Sequence, residues 1–175
     1  MMILLLLQSE YQEVRTFERT PVAGLVVAAE GVAGFFDSRL DLDDALGAKL
    51  EGQLRMMEDY YIRVAGYSWD TETGTGEDVE VDAWAVGVGW DWFFGAFRDV
   101  ALDAGLSAGV ARVRAESDAD RGVLLQAEAA WRWKFLPHGA LRISGTLDAA
   151  ELSYRADETE HRTSFSLGAG LELRF

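Results

Sequence analysis

The last thirteen residues of the chain, from Thr163 to Phe175, constrain the fold more than any other stretch. From Phe165 onward every second residue is apolar, and the residues between them are serine, glycine, one glutamate and one arginine. A period of two predicts a β-strand with two unlike faces. A small polar face suits the crowded interior of a closed barrel, and an apolar face that ends in aromatic residues suits a wall against lipid. The stretch therefore predicts the closing strand of a small membrane barrel.

The composition agrees with a barrel and excludes other classes of protein. The chain has 175 residues, which is typical of one domain, and its net charge of −14 leaves no basic surface for nucleic acid. The absence of cysteine excludes disulfides and thiolate metal sites. No apolar run approaches the roughly 18 residues of a spanning helix. Barrel strands give no such run, because their apolar and polar residues alternate.

The same alternation recurs seven more times before the last strand. We therefore predict an all-β fold, an eight-stranded antiparallel up-and-down transmembrane β-barrel. The predicted strands cover residues 21–35, 48–56, 60–69, 83–94, 100–110, 123–135, 141–149 and 163–175. A slip of the alternation at Ala149 and Ala150 predicts a bulge. Long polar loops are expected at 37–47, 70–78, 116–122 and 156–161, and tight turns at 57–59, 95–99 and 136–139.

Aromatic residues collect at both ends of the apolar faces. Two such rows are typical of the interfacial girdles of membrane barrels. The predicted girdle consists of Tyr60, Trp92, Phe94, Trp133, Phe135 and Phe175 at the short-turn end, and of Phe35, Trp84 and Phe165 nearer the loop end.

The opposite faces of these strands carry charged residues. Eight strands enclose only enough room for side chains, and a buried charge needs a partner of opposite sign. We predict a structural network of ion pairs that fills the lumen and leaves no open pore, with a gated path for protons or ions as the alternative. The predicted network consists of Glu30, Lys49, Glu51, Arg55, Arg63, Asp91, Asp103, Glu128, Arg132, Lys134, Arg142, Asp148, Glu172 and Arg174.

With these features, residues 21–175 resemble the small eight-stranded outer-membrane β-barrel proteins of Gram-negative bacteria. The resemblance rests on the alternation, the loop asymmetry and the terminal Leu173-Arg174-Phe175. It implies an outer-membrane location, a structural or surface-interaction role, and contact with outer-membrane lipid and lipopolysaccharide. It also implies that the barrel assembly machinery reads the C-terminal strand. We expect a monomer without cofactor, metal or nucleic-acid partner.

Residues 1–20 are expected to form a segment of their own before the barrel. Met1 to Leu7 is apolar like part of a secretory signal, but it lacks a basic leading segment and an A-x-A-type cleavage site. The segment is either a truncated signal remnant or a short periplasmic helix.

Two other classes of protein remain open. Some barrels of this size resemble lipid A acyl hydrolases or acyltransferases, which use serine with histidine and an acid. Only His138 and His161 could serve as the base, and neither shows the His-x-Ser spacing of such deacylases, so we predict no catalytic residues. A soluble, lipocalin-like ligand-binding barrel would instead turn Trp84, Trp90 and Trp92 into a cavity.

The acidic loops are expected to be a solvated surface. Clusters such as Asp41, Asp43 and Asp44, or Glu77 and Asp78, offer oxygen ligands that divalent cations could bridge to lipopolysaccharide phosphates. The glycine and the distal glutamate of a calcium loop are missing, so the sequence gives this alternative little support.

Overall fold

The computed structural model describes residues 24–36, 42–57, 59–74, 76–93, 100–115, 119–152 and 160–175. This part of the chain forms eight strands, which are β1 (Leu25–Phe36), β2 (Ala45–Arg55), β3 (Tyr60–Glu72), β4 (Asp78–Phe93), β5 (Val100–Ala115), β6 (Ala119–Leu136), β7 (Gly139–Leu152) and β8 (Glu160–Arg174). Each strand pairs antiparallel with the next, and β8 returns to β1. The predicted eight-stranded up-and-down barrel is confirmed. The expected N-terminal segment 1–20 lies outside the described residues.

The barrel closes between the first and the last strand. Their register runs from Val26 opposite Arg174 to Phe36 opposite Ser164. The backbone amide of Phe175 donates to the carbonyl oxygen of Leu25 at 2.9 Å, and the amide of Leu25 donates back at 3.3 Å. The strand with the clearest alternation is thus the one that seals the sheet.

The connections differ from the predicted ones because several strands are longer than expected. Of the loop predicted at 70–78, residues 70–72 belong to β3 and Asp78 to β4, and of the loop predicted at 116–122, residues 119–122 belong to β6. Of the loop predicted at 37–47, residues 37–41 lie outside the described residues and 45–47 belong to β2. The turn predicted at 95–99 and residues 156–159 of the loop predicted at 156–161 also lie outside the described residues. In the loop between β3 and β4, Gly76 adopts a φ of 80°, which glycine tolerates best.

The bulge predicted at Ala149 and Ala150 is wrong. β7 keeps an unbroken register with β8 there, with Ala149 facing outward and Ala150 buried. The pattern changes because Glu151, a charged residue, takes the next outward position. In the described residues of β6 and β7, the register shift lies between Lys134 and Leu136.

The outer wall of the barrel is apolar over most of its height. Leucines, valines and aromatic residues of all eight strands point outward and are exposed. Trp84, Trp90, Trp92, Trp131 and Trp133 face outward, whereas Trp69 is buried inside. A soluble ligand-binding barrel needs the reverse sidedness, so this alternative is not supported. The described residues contain no helix that is long and apolar enough to cross a membrane.

Between Trp84 and the loops, the outer surface of the barrel changes from apolar to polar. We call this part the loop-end extension; it comprises residues 67–72 of β3, 78–83 of β4, 111–115 of β5 and 119–122 of β6. Most of its outward residues are polar, including Ser68, Asp70, Glu80 and Arg114, while most of its inward residues belong to an apolar cluster. That cluster contains Val32, Leu42, Ala45, Ala65, Tyr67, Trp69, Val79, Val81, Ala83, Ala85, Ala111, Val113, Leu124 and Ala150. The barrel therefore has a charged interior below and an apolar interior above.

Candidate functional site: the lumen charge network

The lower half of the lumen is filled with ion-paired side chains, which we call the lumen charge network. Each strand contributes at least one of them, because the inward positions of the alternation converge on the barrel axis. The network contains six carboxylates and six cations, namely Glu30, Glu51, Asp91, Asp103, Glu128, Glu172, Lys49, Arg55, Arg63, Arg132, Arg142 and Arg174. Arg174 is half-buried at the rim, and the other members are buried.

Arg142 of β7 is the centre of this network. Its Nε lies 2.8 Å from Glu30, one terminal nitrogen lies 2.7 Å from Asp103, and the other lies 2.6 Å from Glu128. Longer contacts of 3.3 and 3.4 Å join it to Glu51 and Glu172. One planar guanidinium thus links five carboxylates from β1, β2, β5, β6 and β8, using the several donors that arginine presents.

Two further cations balance the central carboxylates. Lys49 Nζ lies 2.6 Å from Glu128 and 3.1 Å from Glu51, and Arg63 approaches the same two residues at 2.7 and 2.9 Å. Glu128 also accepts hydrogen bonds from the hydroxyls of Tyr67 at 3.3 Å and Thr146 at 3.2 Å. Its buried charge is therefore compensated by both cations and neutral donors, as a low-dielectric interior requires.

A second group of ion pairs lies nearer the short-turn end. Arg132 contacts Asp91 at 2.5 Å, Glu172 at 3.4 Å and Asp103 at 3.5 Å. Arg55 also pairs with Asp91, and Arg174 lies 3.0 Å from Glu172. Because Asp103 and Glu172 contact both Arg132 and Arg142, the two groups form one continuous network.

The same lumen contains a triad of carboxylates with the spacing of a metal site. Glu30, Glu51 and Glu128 each place one oxygen within 4.8 Å of the others. Lys49 Nζ lies within 3.5 Å of all three residues. Its ammonium occupies the position that a bound cation would take, so the arrangement serves the ion-pair network.

Lys134 and Asp148, which were predicted as members of the network, face the lumen but make no ion pair with the described residues. Lys134 is half-buried near the register shift at the short-turn rim. Asp148 is buried and accepts a hydrogen bond of 2.8 Å from Gln126. Sequence reasoning missed the neutral partners Gln126 and Ser144, the latter bonded to Glu30. Their inward positions in the alternation were the available signal.

Glycines on the inner wall make room for these large side chains. A Cβ at Gly168 would lie 2.3 Å from Glu30 Oε2 and 2.7 Å from Ser144 Oγ. A Cβ at Gly89 would lie 2.2 Å from the ring of Tyr61. At both positions a neighbouring side chain lies too close for a Cβ atom, which explains why the residue is glycine.

The residues predicted as an aromatic girdle are exposed on the outer wall where they are described. Tyr60, Trp84, Trp92, Trp133, Phe135, Phe165 and Phe175 all point outward. Phe35 and Phe165 are register partners whose rings stack with centroids 6.2 Å apart. Phe94 lies outside the described residues.

The barrel has the fold of the small outer-membrane β-barrels. Neisserial surface protein A (NspA) superimposes with a TM-score of 0.69 at 11% identity, over 87% of this chain and 96% of that one. For OprG from Pseudomonas aeruginosa the TM-score is 0.57 at 9% identity, over 88% and 96% of the two chains. For Ail of Yersinia pestis it is 0.50 at 12% identity, over 87% and 97%.

No protein-family model and no curated protein sequence matches the chain. The resemblance to eight-stranded outer-membrane barrels is confirmed at the level of the fold.

Proposed function

We propose that the chain is an integral outer-membrane protein with a structural or surface-interaction role, an occluded lumen and no catalytic activity. The observation that carries the proposal is the sidedness of the wall around the lumen charge network. Charges that would be solvated in a soluble barrel are paired inside, and the apolar side chains are outside. Such an outer surface is favourable in a lipid environment, because exposing so much apolar surface to water would cost free energy.

The height of the apolar wall supports a membrane location. Trp84 and Trp92, at its two ends on β4, are eight residues apart. At about 3.3 Å per residue and a tilt of about 40°, they are separated by roughly 20 Å along the membrane normal. This separation is close to the height of about 25 Å of the apolar band of outer-membrane barrels.

The lumen charge network supports an occluded interior. Arg142 spans the lumen and contacts carboxylates on five other strands. An eight-stranded barrel has room only for its own side chains. A sustained ion path would require several of these buried pairs to separate.

The loop-end extension supports a role at the cell surface. Its polar outer residues face water above the apolar wall, and its apolar interior makes it rigid enough to present them. We also propose that the barrel is a monomer that contacts lipopolysaccharide. In this proposal β8, which closes the sheet against β1, is the strand read by the barrel assembly machinery.

The test is to refold the full chain into phosphatidylcholine vesicles and into detergent. We expect heat-modifiable migration on a gel, no steady conductance across a planar bilayer, and no change in the acyl chains of added lipid A by mass spectrometry. A stable monomer in buffer without lipid or detergent would refute the membrane assignment. Steady conductance would refute the occluded lumen, and loss of an acyl chain would show an enzyme.

A further inference from the structure

Two arginines face outward where the loop-end extension begins. Arg112 of β5 and Arg121 of β6 are register partners, so their Cβ atoms lie about 5 Å apart on one face of the sheet. Both side chains are exposed, and neither makes a hydrogen bond or an ion pair with the described residues. Like charges directly opposite each other destabilise a sheet, and neither guanidinium group forms an ion pair with the described residues.

Arg114, the next outward arginine on β5, differs from this pair because its charge is already compensated by acidic side chains. Arg114 lies 2.8 Å from Asp82 and 3.2 Å from Glu80. Asp82 stands directly opposite Arg112 in the register of β4 and β5, yet its carboxylate binds Arg114. Arg112 and Arg121 therefore form a cationic pair on the surface of a chain whose net charge is −14.

The arginine pair lies next to the loop end of the apolar wall. One outward position below it, Val110 and Val123 are register partners and both are exposed. Trp84 stands opposite Val110 on β4. Two residues along a tilted strand correspond to about 5 Å along the membrane normal, so the guanidinium groups lie just above the apolar wall.

We propose that Arg112 and Arg121 bind a phosphate group of a phosphorylated glycolipid in the outer leaflet, whose acyl chains pack on Val110, Val123 and Trp84. Guanidinium groups bind phosphate through paired, charge-assisted hydrogen bonds, and the anion removes the repulsion between the two cations. The apolar side chains directly below favour a lipid over free phosphate. This inference rests on the proposed membrane location and names a ligand for that surface.

The experiment measures binding of diphosphoryl lipid A to the full chain, refolded first into phosphatidylcholine vesicles and then transferred to detergent for native mass spectrometry. The double variant R112Q/R121Q should bind lipid A about thirtyfold more weakly than the unchanged chain, a difference of about 2 kcal/mol, because it removes two cations that face the charged lipid surface. The control R114Q/D82N removes an ion pair from the same face and leaves no freed Asp82 carboxylate to pair with Arg112, so it should bind within about twofold of the unchanged chain.

Three results would overturn the inference. They are equal binding of dephosphorylated lipid A, an equal loss in R114Q/D82N, and displacement of lipid A by inorganic phosphate, which would make the ligand a soluble anion. Failure to insert into phosphatidylcholine vesicles would instead refute the proposed membrane location. Insertion without a preference for the phosphorylated lipid refutes the arginine site alone.

Discussion

Arg142 is the residue on which the charged interior depends most. It is fully buried, and it is the closest cationic partner of both Glu30 and Asp103. Glu30 retains Lys49 at 3.5 Å, and Asp103 retains Arg132 at the same distance, so neither keeps a short ion pair without Arg142. A buried charge that loses its partner costs more free energy than the intact pair contributes.

We expect Arg142→Met to lower the free energy of unfolding by about 3 to 5 kcal/mol, because it leaves buried carboxylates without a short ion pair. Urea unfolding in lipid vesicles, followed by tryptophan fluorescence, measures this change. Adding Asp103→Asn to Arg142→Met should recover part of the loss, since it removes one uncompensated charge. The exposed pair of Arg114 gives the control, for which Arg114→Gln should cost at most about 1 kcal/mol. Equal losses in Arg142→Met and Arg114→Gln would contradict a stabilising network.

A single strand contains two kinds of outer surface. On β3, Ile62 and Val64 are exposed and apolar, whereas Ser68, Asp70 and Glu72 are exposed and polar. Between them, the ring of Trp84 from β4 covers Gly66, whose Cβ would lie 2.7 Å from that ring. Trp84 therefore marks the level at which the surroundings of the strand change from lipid to water.

This change predicts opposite results for one substitution at two positions of β3. Ile62→Arg should destabilise the barrel by roughly 2 to 4 kcal/mol, because Ile62 stands opposite Val88 in the middle of the apolar wall and the change places a charge against acyl chains. Ser68→Arg, six residues further along the same face, should change stability by no more than about 0.5 kcal/mol. Both values come from urea unfolding in vesicles. Equal tolerance at the two positions would mean that β3 does not cross the membrane where we place it.

The whole molecule is one barrel with two environments along its axis. In the lower part the interior is charged and the exterior is apolar, and in the loop-end extension both are reversed. Each part satisfies the same rule, since apolar side chains contact either lipid or one another and charged side chains contact either water or a partner. The barrel is therefore expected to project beyond the membrane on the side of β3 to β6.

Cysteine labelling tests this placement, because the chain has no cysteine of its own. In vesicles with the loop end outside, a membrane-impermeant maleimide should label Glu80→Cys and leave Val88→Cys unmodified. Both positions face outward on β4, on either side of Trp84. Unfolding in urea should make both cysteines reactive, which controls for intrinsic reactivity. Rapid labelling of Val88→Cys in intact vesicles would place that surface in water.

Much of the architecture could be predicted because a period of two is a local property. The number of strands, the closing role of the last one and the inward direction of residues such as Glu30, Arg63 and Glu172 follow from counting alternate positions. The reversal of polarity in the loop-end extension could not be predicted from the alternation. Alternation separates two faces, and it does not tell which face meets lipid, water or a dry interior. For the same reason the alternation on β7 predicts a bulge at Ala149 and Ala150, where the structure keeps its register and places the charged Glu151 at the next outward position.

The amino-acid sequence by itself determined the strands and the two faces of each, because these depend on neighbours a few residues away. Only the tertiary structure decided which charges meet. Arg142 and Glu51 are 91 residues apart, and they lie 3.3 Å from each other because the register of eight strands and the closure of the barrel bring them to one level. The ion pairs depend on that register, which is a property of the whole sheet and cannot be obtained from any one strand.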